Sequence, residues 1–350
     1  MQVEPTGAIL DIGEIKDLFL CFSHGSHLLL AVSGGPDSLA MMKLAMMHLA
    51  SEFVRDRTDV FKLSAATVNH GLRVEAQGEA QYVADVAARL GISHHVLEWQ
   101  GKKPLSKIQE LARVARYELL FAHALKIGAT HVLTAHTLDD QAETILFRMM
   151  RGSGIKGLVG MESHVKQGNI IHSRPLLGIA KERLVATCKA HDLNYVDDAS
   201  NSNTQFARVR LRKILPLLAL EGLTARRFSN LSSRLKRADE ALEARVSNLW
   251  ECGKFYENRY DLKHITAEPA EIVLRYLIKL IKHSYSSLYT DTHFKHLRLN
   301  SVEAVLDGFH SALQNGKAFK HSISGLVLEL HKDGCVYTRV DPRSKMSMGI

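Results

Sequence analysis

The sequence predicts an α/β fold, an open parallel sheet flanked by helices, followed by a smaller, mainly helical α+β C-terminal domain. Three observations predict it. Within residues 27–150, short apolar runs alternate with helical stretches. Polar clusters directly follow three of these runs, and the alternation ends beyond Pro216. Strands that alternate with helices need crossover connections, so they lie parallel in one sheet.

Apolar periodicity predicts the elements of the first half. In chain order they are a strand at 27–32, a helix over 39–47, a strand at 62–68, a helix at 79–90, a strand at 94–97, a helix at 106–126, a strand at 131–135 and a helix at 139–150. A loop-rich stretch at 151–174 and a helix at 179–191 follow. Ligands of open α/β sheets bind outside the carboxyl ends of the strands, so we expect the polar clusters to converge there.

The second half has longer helical patterns and fewer strands. Helices are predicted at 225–250, 267–283 and 301–313, and strands at 324–330 and 335–340. We therefore divide the chain into a catalytic domain at 1–216 and a C-terminal domain at 217–350.

Composition limits the possible classes of protein. The chain has 350 residues, 46% of them hydrophobic, which is enough for a sizeable core. Its net charge of +8 favours a polyanionic partner such as nucleic acid. The four cysteines form no C-x-x-C pair, which fits reduced thiols in the cytoplasm. No signal peptide or apolar stretch of membrane-spanning length is present, so we expect a cytoplasmic protein.

The segment Ser33-Gly34-Gly35-Pro36-Asp37-Ser38 is predicted to join the first strand to the first helix. Two glycines let the backbone N–H groups approach an anion, and the helix start offers its positive dipole end. No Gly-Lys-Ser or Gly-Lys-Thr follows, so this is not a Walker loop. We predict a phosphate site with Asp37 as a carboxylate ligand for Mg²⁺.

A second glycine pattern is rejected as a nucleotide site. Gly152-Ser-Gly154-Ile-Lys-Gly157 matches G-x-G-x-x-G, but it follows a predicted helix instead of a strand. It therefore predicts the C-terminal end of a helix followed by a loop.

The string His136-Thr137-Leu138-Asp139-Asp140-Gln141-Ala142-Glu143-Thr144 places carboxylates in the first turn of a helix. Negative charge is favoured there, so Asp139 and Asp140 could serve the helix alone. Because they share the sheet edge with the glycine loop, they could instead hold a metal or orient a nucleophile.

Two sets of arginines leave similar alternatives open. Arg113 and Arg116 lie three residues apart on one helix face, either solvated or in contact with phosphate. Arg208, Arg210 and Arg212 follow the polar turn that starts at Asp197, either as an exposed basic face or as contacts to RNA or triphosphate.

With these residues in hand, the chain resembles the tRNA(Ile)-lysidine synthases, members of the ATP-pyrophosphatase group with an adenine-nucleotide α-hydrolase-like fold. The SGGxDS loop is shared across that group. More specific are the string 136–144, its continuation through Arg148–Gly154 to Gly160-Met161, and matches at 69–73, 112–117, 174–177 and 198–212. The resemblance covers about residues 27 to 216.

The resemblance implies a two-step reaction on tRNA(Ile) with the anticodon CAU. ATP adenylates the C2 oxygen of the wobble cytidine and releases pyrophosphate. The side-chain amine of free L-lysine then attacks C2 and expels AMP. The product, lysidine, changes decoding from AUG to AUA.

The resemblance also implies roles for single residues. The catalytic residues it implies are Asp37, Arg113, Asp139 and Asp140, with Asp37 as the ligand of Mg²⁺. The ATP-binding residues it implies are Ser33, Gly34, Gly35, Pro36, Asp37, Ser38, His70 and His136. Contacts to tRNA or phosphate are implied for Arg116, Arg151, Arg208, Arg210 and Arg212.

Two other functions stay open. One is a tRNA-thiolating relative, which the absence of paired cysteines disfavours. The other is a non-catalytic tRNA- or nucleotide-binding relative, which the carboxylate set disfavours. From its position and the chain's basic charge, we expect the C-terminal domain to bind tRNA. The oligomeric state is left open, a dimer being one option.

Overall fold

The structure is a computed structural model that describes residues 7–22, 25–53, 61–72, 75–101, 108–196, 207–253, 255–256, 258–288 and 297–343. Its contacts divide the chain into two compact units, residues 1–151 with 159–232 and residues 152–158 with 233–350. Arg73 and residues 197–206, which begin the predicted polar segment 197–212, lie outside the described residues.

The first unit alternates helices and strands. Its elements are α1 (Ile12–Phe19), β1 (His27–Ala31), α2 (Pro36–Phe53), β2 (Lys62–Asn69), α3 (Ala76–Arg89), β3 (Ser93–Glu98), α4 (Ile108–Lys126), β4 (His131–Thr134) and α5 (Leu138–Met149). After α6 (Ile155–Leu158), which belongs to the second unit, come β5 (His164–Gln167), β6 (Ile170–Ser173), α7 (Lys181–Ala190) and α8 (Ala207–Leu220). Pro216 lies inside α8.

The six described strands of the first unit form one sheet in the order β3-β2-β1-β4-β6-β5. All neighbours are parallel except β5 and β6, which form an antiparallel hairpin at one edge. Leu28, Leu29 and Leu30 of β1 are fully buried, as expected for a central strand covered by helices on both faces. The predicted fold class is confirmed.

Three features of this unit were not predicted, namely α1, the β5–β6 hairpin and α8. Helix α1 begins with a capping box, in which Asp11 and Glu14 each accept from the other's backbone N–H. The β5–β6 hairpin turns at Gly168 and Asn169, inside the stretch expected to be a loop. Helix α8 covers Arg208, Arg210 and Arg212, for which no helix was predicted. The remaining strands and helices of this unit overlap the predicted ones, and α2 is the longest extension, at 36–53 instead of 39–47.

The second unit is α+β, as predicted. It contains the later part of α9 (Ala225–Cys252), β7 (Phe255–Tyr256), β8 (Arg259–Asp261), a 3₁₀ helix (Lys263–Ile265), α10 (Ala270–Leu288), α11 (Leu299–Gln314), β9 (Phe319–Ile323), β10 (Leu326–Leu330) and β11 (Cys335–Val340). The strands form an antiparallel sheet in the order β7-β8-β11-β10-β9. Apolar side chains of α10, α11 and this sheet form its core, including Tyr276, Phe309 and Leu326. In the part of the chain that the structure describes, no helix is long and apolar enough to cross a bilayer.

Candidate active site

The glycine loop is built as a short turn between β1 and α2. Gly34 has φ +80°, a left-handed conformation that glycine adopts without the strain of a Cβ. The Ser38 hydroxyl accepts from the N–H of Ser33 at 3.1 Å and donates to the carbonyl of Gly35 at 3.0 Å. Pro36 begins α2, where its fixed φ suits the first helical position. The loop is therefore closed by its own polar groups, with the start of α2 behind it.

A cavity of about 190 Å³ opens at the carboxyl ends of β1, β2 and β4. Its walls come from the glycine loop, the three strand ends, helix α4 and the residues after β4. They are Ala31, Val32, Ser33, Gly35, Asp37, Ser38, Ala66, Val68, Arg113, Arg116, Tyr117, Leu120, Thr134, Ala135 and His136. The structure thus brings the loop, both arginines of α4 and His136 into one cavity. Of the polar cluster predicted after β2, at 69–73, no described residue lines the cavity.

Asp37 is the carboxylate of this cavity that has unused bonding capacity. Among the described residues, its buried Oδ1 has no hydrogen-bond partner, while its Oδ2 lies 3.6 Å from Nζ of Lys181 at the start of α7. Burial raises the pKa of Asp37 to about 6, against the opposing effect of the Lys181 charge. A buried carboxylate oxygen without a partner is costly unless a cation or donor joins it.

The side chains of Asp139 and Asp140 both accept hydrogen bonds from backbone N–H groups at helix starts. Asp140 forms a capping box with Thr137: its Oδ2 accepts from the Thr137 N–H at 2.9 Å. The Oδ2 of Asp139 accepts from the backbone N–H of Lys181 at 2.8 Å, which ties α5 to the first turn of α7. Neither lines the cavity, although the charges of both raise the pKa of Asp37. Their helix-capping role is therefore seen directly.

Glu143 is an acidic residue to which the sequence assigned no role. It is 4% exposed and pairs through Oε1 with Nε of Arg212. Its Oε2 is buried and has no hydrogen-bond partner in the part of the chain that the structure describes. Burial raises the pKa of Glu143, against the effect of Arg212. Arg212 also lies 3.8 Å from Oδ1 of Asp140, so α8 supplies the counter-charge to this acidic pair.

The arginines of α8 divide between two sides of the helix. Arg208 and Arg212 are four residues apart and share a face, and the Arg208 charge acts on both His136 and Glu143. Arg210 is exposed and lies about 200° round the helix from Arg208. The sequence could not separate these faces, because the helix begins next to a polar segment with no apolar periodicity.

The remaining candidates lie at or near the cavity wall. His70 is outside the lining but accepts from Nε of Arg116 at 3.4 Å, which places it beside that arginine. The guanidinium of Arg113 lies 5.2 Å from the centre of the Tyr117 ring. Arg151, exposed after α5, covers the Phe147 ring at 4.1 Å and does not line the cavity.

The end of the long motif has a structural role. Gln141 donates through Nε2 to the carbonyl of Met161 and accepts through Oε1 from its N–H, at 2.9 and 2.7 Å. Arg148 donates to the carbonyl of Gly160 at 2.8 Å. Gly160 has φ +78°, and a Cβ there would lie 2.7 Å from Oε1 of Gln141. Helix α5 therefore anchors the backbone that follows the rejected Gly152–Gly157 pattern.

A metal ion fits this cavity as a partner of the substrate. No group of three His, Cys, Asp or Glu side chains among the described residues is arranged as a metal site. Mg²⁺, however, commonly takes one or two carboxylates and completes its shell with water and phosphate oxygens. The free Oδ1 of Asp37, beside a loop suited to phosphate, provides such a carboxylate.

Comparison with known proteins gives a consistent result. The PP-loop domain family matches residues 12–218. The tRNA(Ile)-lysidine synthase of Bradyrhizobium sp. (strain BTAi1 / ATCC BAA-1182) is 37% identical over 349 residues, covering 96% of each chain. That of Rhodopseudomonas palustris (strain ATCC BAA-98 / CGA009) is 37% identical over 341 residues, 94% of this chain and 95% of the relative. The similarity therefore extends beyond residues 27–216 into the second unit.

Higher identity is concentrated in part of the chain. The tRNA(Ile)-lysidine synthase of Methylobacterium sp. (strain 4-46) is 48% identical over 215 residues, 61% of this chain and 60% of that one. Among solved structures, the U34-tRNA thiolase NcsA from Methanococcus maripaludis, with its [4Fe-4S] cluster, matches with a TM-score of 0.54 and 17% identity. The match covers 65% of this chain and 78% of the thiolase. At that identity the match speaks for the fold alone.

Proposed function

This chain belongs to the tRNA(Ile)-lysidine synthase family, and from this we propose where its reaction takes place. The first unit modifies the wobble cytidine of tRNA(Ile) at the cavity lined by the glycine loop. The protein is an ATP-dependent ligase that forms a carbon–nitrogen bond. The observation that carries the assignment to this cavity is the meeting of the SGGPDS loop, Asp37 and Arg113 in its wall.

The cavity suits the triphosphate and reacting phosphorus of ATP. The loop Ser33–Ser38 offers backbone N–H groups, the start of α2 and hydroxyls, while Arg113 and Arg116 supply positive charge from the opposite wall. In adenylation, the C2 oxygen of cytidine attacks the α-phosphorus and pyrophosphate leaves. Arg113 is then placed to stabilise charge on the phosphoryl oxygens, a contribution of the kind that fixed donors make in transition states.

Mg²⁺ is proposed as the partner of Asp37. The support is the Oδ1 of that residue, which is buried and without a hydrogen-bond partner among the described residues. When bound, Mg²⁺ neutralises phosphate charge and polarises phosphoryl oxygens. Lys181, 3.6 Å from the other oxygen of Asp37, adds a second positive charge beside that carboxylate.

Free L-lysine is proposed to bind through its positive charge near Asp140 and Glu143. The support is electrostatic: Oε2 of Glu143 is buried without a partner, so a second cationic donor would satisfy it. The lysine side-chain amine has to lose a proton before it attacks C2 and expels AMP. A carboxylate pair of which one member has a raised pKa can hold the α-ammonium or receive that proton.

The C-terminal domain is proposed to bind the tRNA. In this division, residues 1–216 form the catalytic domain and residues 217–350 the tRNA-binding domain. Residues 217–350 carry 20 Lys and Arg against 15 Asp and Glu. Arg234 and Lys236 of α9 are exposed. Replacing both by Gln should weaken tRNA binding and reduce its dependence on salt, because fewer counterions are released.

The control for that charge change is the pair Arg89 and Lys126 in the first unit, which are also exposed. Their replacement by Gln should alter tRNA affinity less. An equal loss from both pairs would indicate a general charge effect and would contradict a dedicated C-terminal surface.

The proposed function is tested by incorporating labelled lysine into unmodified tRNA(Ile) with a CAU anticodon, in the presence of ATP and Mg²⁺, with methionine tRNA as the control. Incorporation confined to tRNA(Ile) is the expected result. If pyrophosphate is released on addition of tRNA without lysine incorporation, adenylation stands and the lysine assignment falls. A thiolated product would favour the other enzymatic function.

A further inference from the structure

A chain of side-chain hydrogen bonds runs from Arg174 to the cavity wall, where it ends at His136. Nη2 of Arg174 lies 3.1 Å from Nδ1 of His172, and Nε2 of His172 lies 2.9 Å from Oγ1 of Thr134. Oγ1 of Thr134 lies 2.8 Å from Nδ1 of His136. Thr134 ends β4 and His172 lies on β6, the neighbouring strand, so the sheet itself holds the middle of the chain.

Arg174 fixes the direction of every bond in this chain. A guanidinium only donates, so Nδ1 of His172 has to accept and cannot carry a proton. The proton of neutral His172 is then on Nε2 and is donated to Thr134. The hydroxyl of Thr134 has one hydrogen, which it donates to Nδ1 of His136. The proton of His136 is thereby left on Nε2.

Burial prevents water from reversing these bonds. His172 is 2% exposed and Thr134 8%, and the rings of Tyr117 and Phe121 flank His172. If His136 were protonated on both nitrogens, its Nδ1–H would point at Thr134, whose hydroxyl hydrogen would lose its acceptor. Burial, together with the nearby arginines, lowers the pKa of His136 to about 4 against the opposing effect of Asp140, and burial lowers that of His172 to about 3.

We propose that Arg174 and His172 are positioning residues that, through Thr134, hold His136 as the neutral Nε2–H tautomer and so present a hydrogen-bond donor to an acceptor atom of the bound nucleotide. His136 lines the cavity and its Nδ1 is engaged by Thr134, so Nε2 is the nitrogen left for a ligand. Only the identity of that acceptor, an oxygen or ring nitrogen of ATP or cytidine, rests on the proposed function.

A neutral donor differs from a cation in what it can do. A neutral imidazole N–H donates a hydrogen bond to an oxygen without adding a positive charge. That hydrogen bond strengthens as negative charge develops on the oxygen in the transition state. It also binds the pyrophosphate product less tightly than an imidazolium would. The device also needs no titration at working pH, because the proton position is set by hydrogen bonds.

The test reads the proton position directly in the ligand-free, full-length enzyme. Protein labelled with ¹⁵N in histidine gives different ¹⁵N signals for protonated and unprotonated ring nitrogens, and the His136→Gln variant identifies the signals of His136. At neutral pH we expect Nε2 protonated and Nδ1 unprotonated. A proton on Nδ1, or on both nitrogens, would overturn the proposal whatever the enzyme's substrate is.

Variants then test whether the chain sets the tautomer. Arg174→Met frees Nδ1 of His172, so both directions of the chain become available and His136 should become a mixture of tautomers. Thr134→Val keeps the shape and removes the link, with the same expectation. Arg174→Lys retains a donor and should retain the Nε2–H form.

The Arg174→Met change also removes a hydrogen bond to the backbone carbonyl of Glu162, at 2.6 Å. Arg148→Met is the control for that loss of a backbone contact. Arg148 makes a comparable bond to the carbonyl of Gly160. Its replacement removes a similar backbone anchor while Arg174 still donates to His172, so the His136 signals should stay unchanged. In adenylation assays, Arg174→Met and Thr134→Val should lower kcat about tenfold with little change in the KM for ATP. An unchanged tautomer in a folded Thr134→Val protein would show that the chain does not set it.

Discussion

Nζ of Lys181 lies 3.6 Å from Oδ2 of Asp37, while the backbone N–H of the same lysine is capped by Asp139 at 2.8 Å. One residue at the start of α7 therefore contacts both the carboxylate of the glycine loop and the first turn of α5. The side chain of Lys181 can be changed without breaking the backbone cap, which makes its charge separately testable.

Replacing Lys181 by Met should raise the KM for ATP about tenfold, because a positive charge beside the phosphates is lost; tenfold corresponds to about 1.4 kcal/mol. Pyrophosphate release at a range of ATP concentrations measures it. Lys189→Met, on an exposed position of the same helix, is the control and should leave the KM unchanged. Equal kinetics for both variants would remove Lys181 from the phosphate site.

Asp37→Asn should reduce tRNA-dependent pyrophosphate release by about 100-fold or more, a loss of the size seen when one transition-state contact is removed. The Tm should stay the same or rise, because the buried, unpartnered carboxylate oxygen is replaced by a neutral amide. The two measurements are made on one sample. Full activity in a folded variant would exclude Asp37 as the metal ligand.

Glu143→Gln should raise the KM for lysine while tRNA-dependent pyrophosphate release continues. The reason is that the buried carboxylate would no longer attract a second cation, whereas the glycine loop is untouched. Glu182→Gln, exposed on α7, is the control. A loss of pyrophosphate release equal to the loss of lysidine would assign Glu143 to adenylation or to folding instead.

Gly160→Ala should lower the free energy of unfolding by about 2–4 kcal/mol, since its φ of +78° disfavours any Cβ and the new methyl would meet Gln141. Urea denaturation measures it. Adding Gln141→Ala should recover only the part due to the clash. Gly178→Ala, where no atom lies within 4 Å of the added Cβ, should change stability by less than about 1 kcal/mol.

Glu14→Gln should destabilise the protein by about 1–2 kcal/mol at pH 7, because Glu14 pairs through both oxygens, each at 2.7 Å, with buried Arg183. The hydrogen bond with Arg183 lowers the pKa of Glu14, so its contribution is fully present above the ordinary value of 4.5. It is lost as the pH falls through the lowered folded value.

The difference in unfolding free energy between the wild type and Glu14→Gln should therefore shrink below pH 4.5. Denaturant unfolding at pH 7, 5 and 3.5 tests this. A difference independent of pH would mean that packing of Glu14, and not its charge, stabilises the N-terminal helix.

Sequence reasoning placed the sheet and the cavity because buried strands are apolar and their carboxyl ends are followed by polar residues. It missed the hairpin at 164–173, although Gly168-Asn169 between short strands is a recognised turn signal. It missed α1, although Asp11 and Glu14 have capping-box spacing. Glu143 carried no such signal, because its value depends on Arg212, 69 residues away in the sequence.

The His172 chain was equally inaccessible from sequence. Its two central members, Thr134 and His172, lie on strands that become neighbours only through the pairing of β4 with β6. Periodicity predicts which residues are buried, but it does not state which strands are adjacent. The direction of the hydrogen bonds follows only after Arg174 is placed at one end.

The first two turns of α5 carry four polar side chains to four different segments: Asp139 to α7, Asp140 to Thr137, Gln141 to Met161 and Glu143 to α8. These contacts assemble the domain as well as shape its site. A descendant that lost catalysis and kept only the fold would have reason to preserve most of this signature. Asp37 is the more informative residue for deciding which relatives remain enzymes. Its buried Oδ1 makes no hydrogen bond within the described residues, so the fold alone gives no reason to keep it.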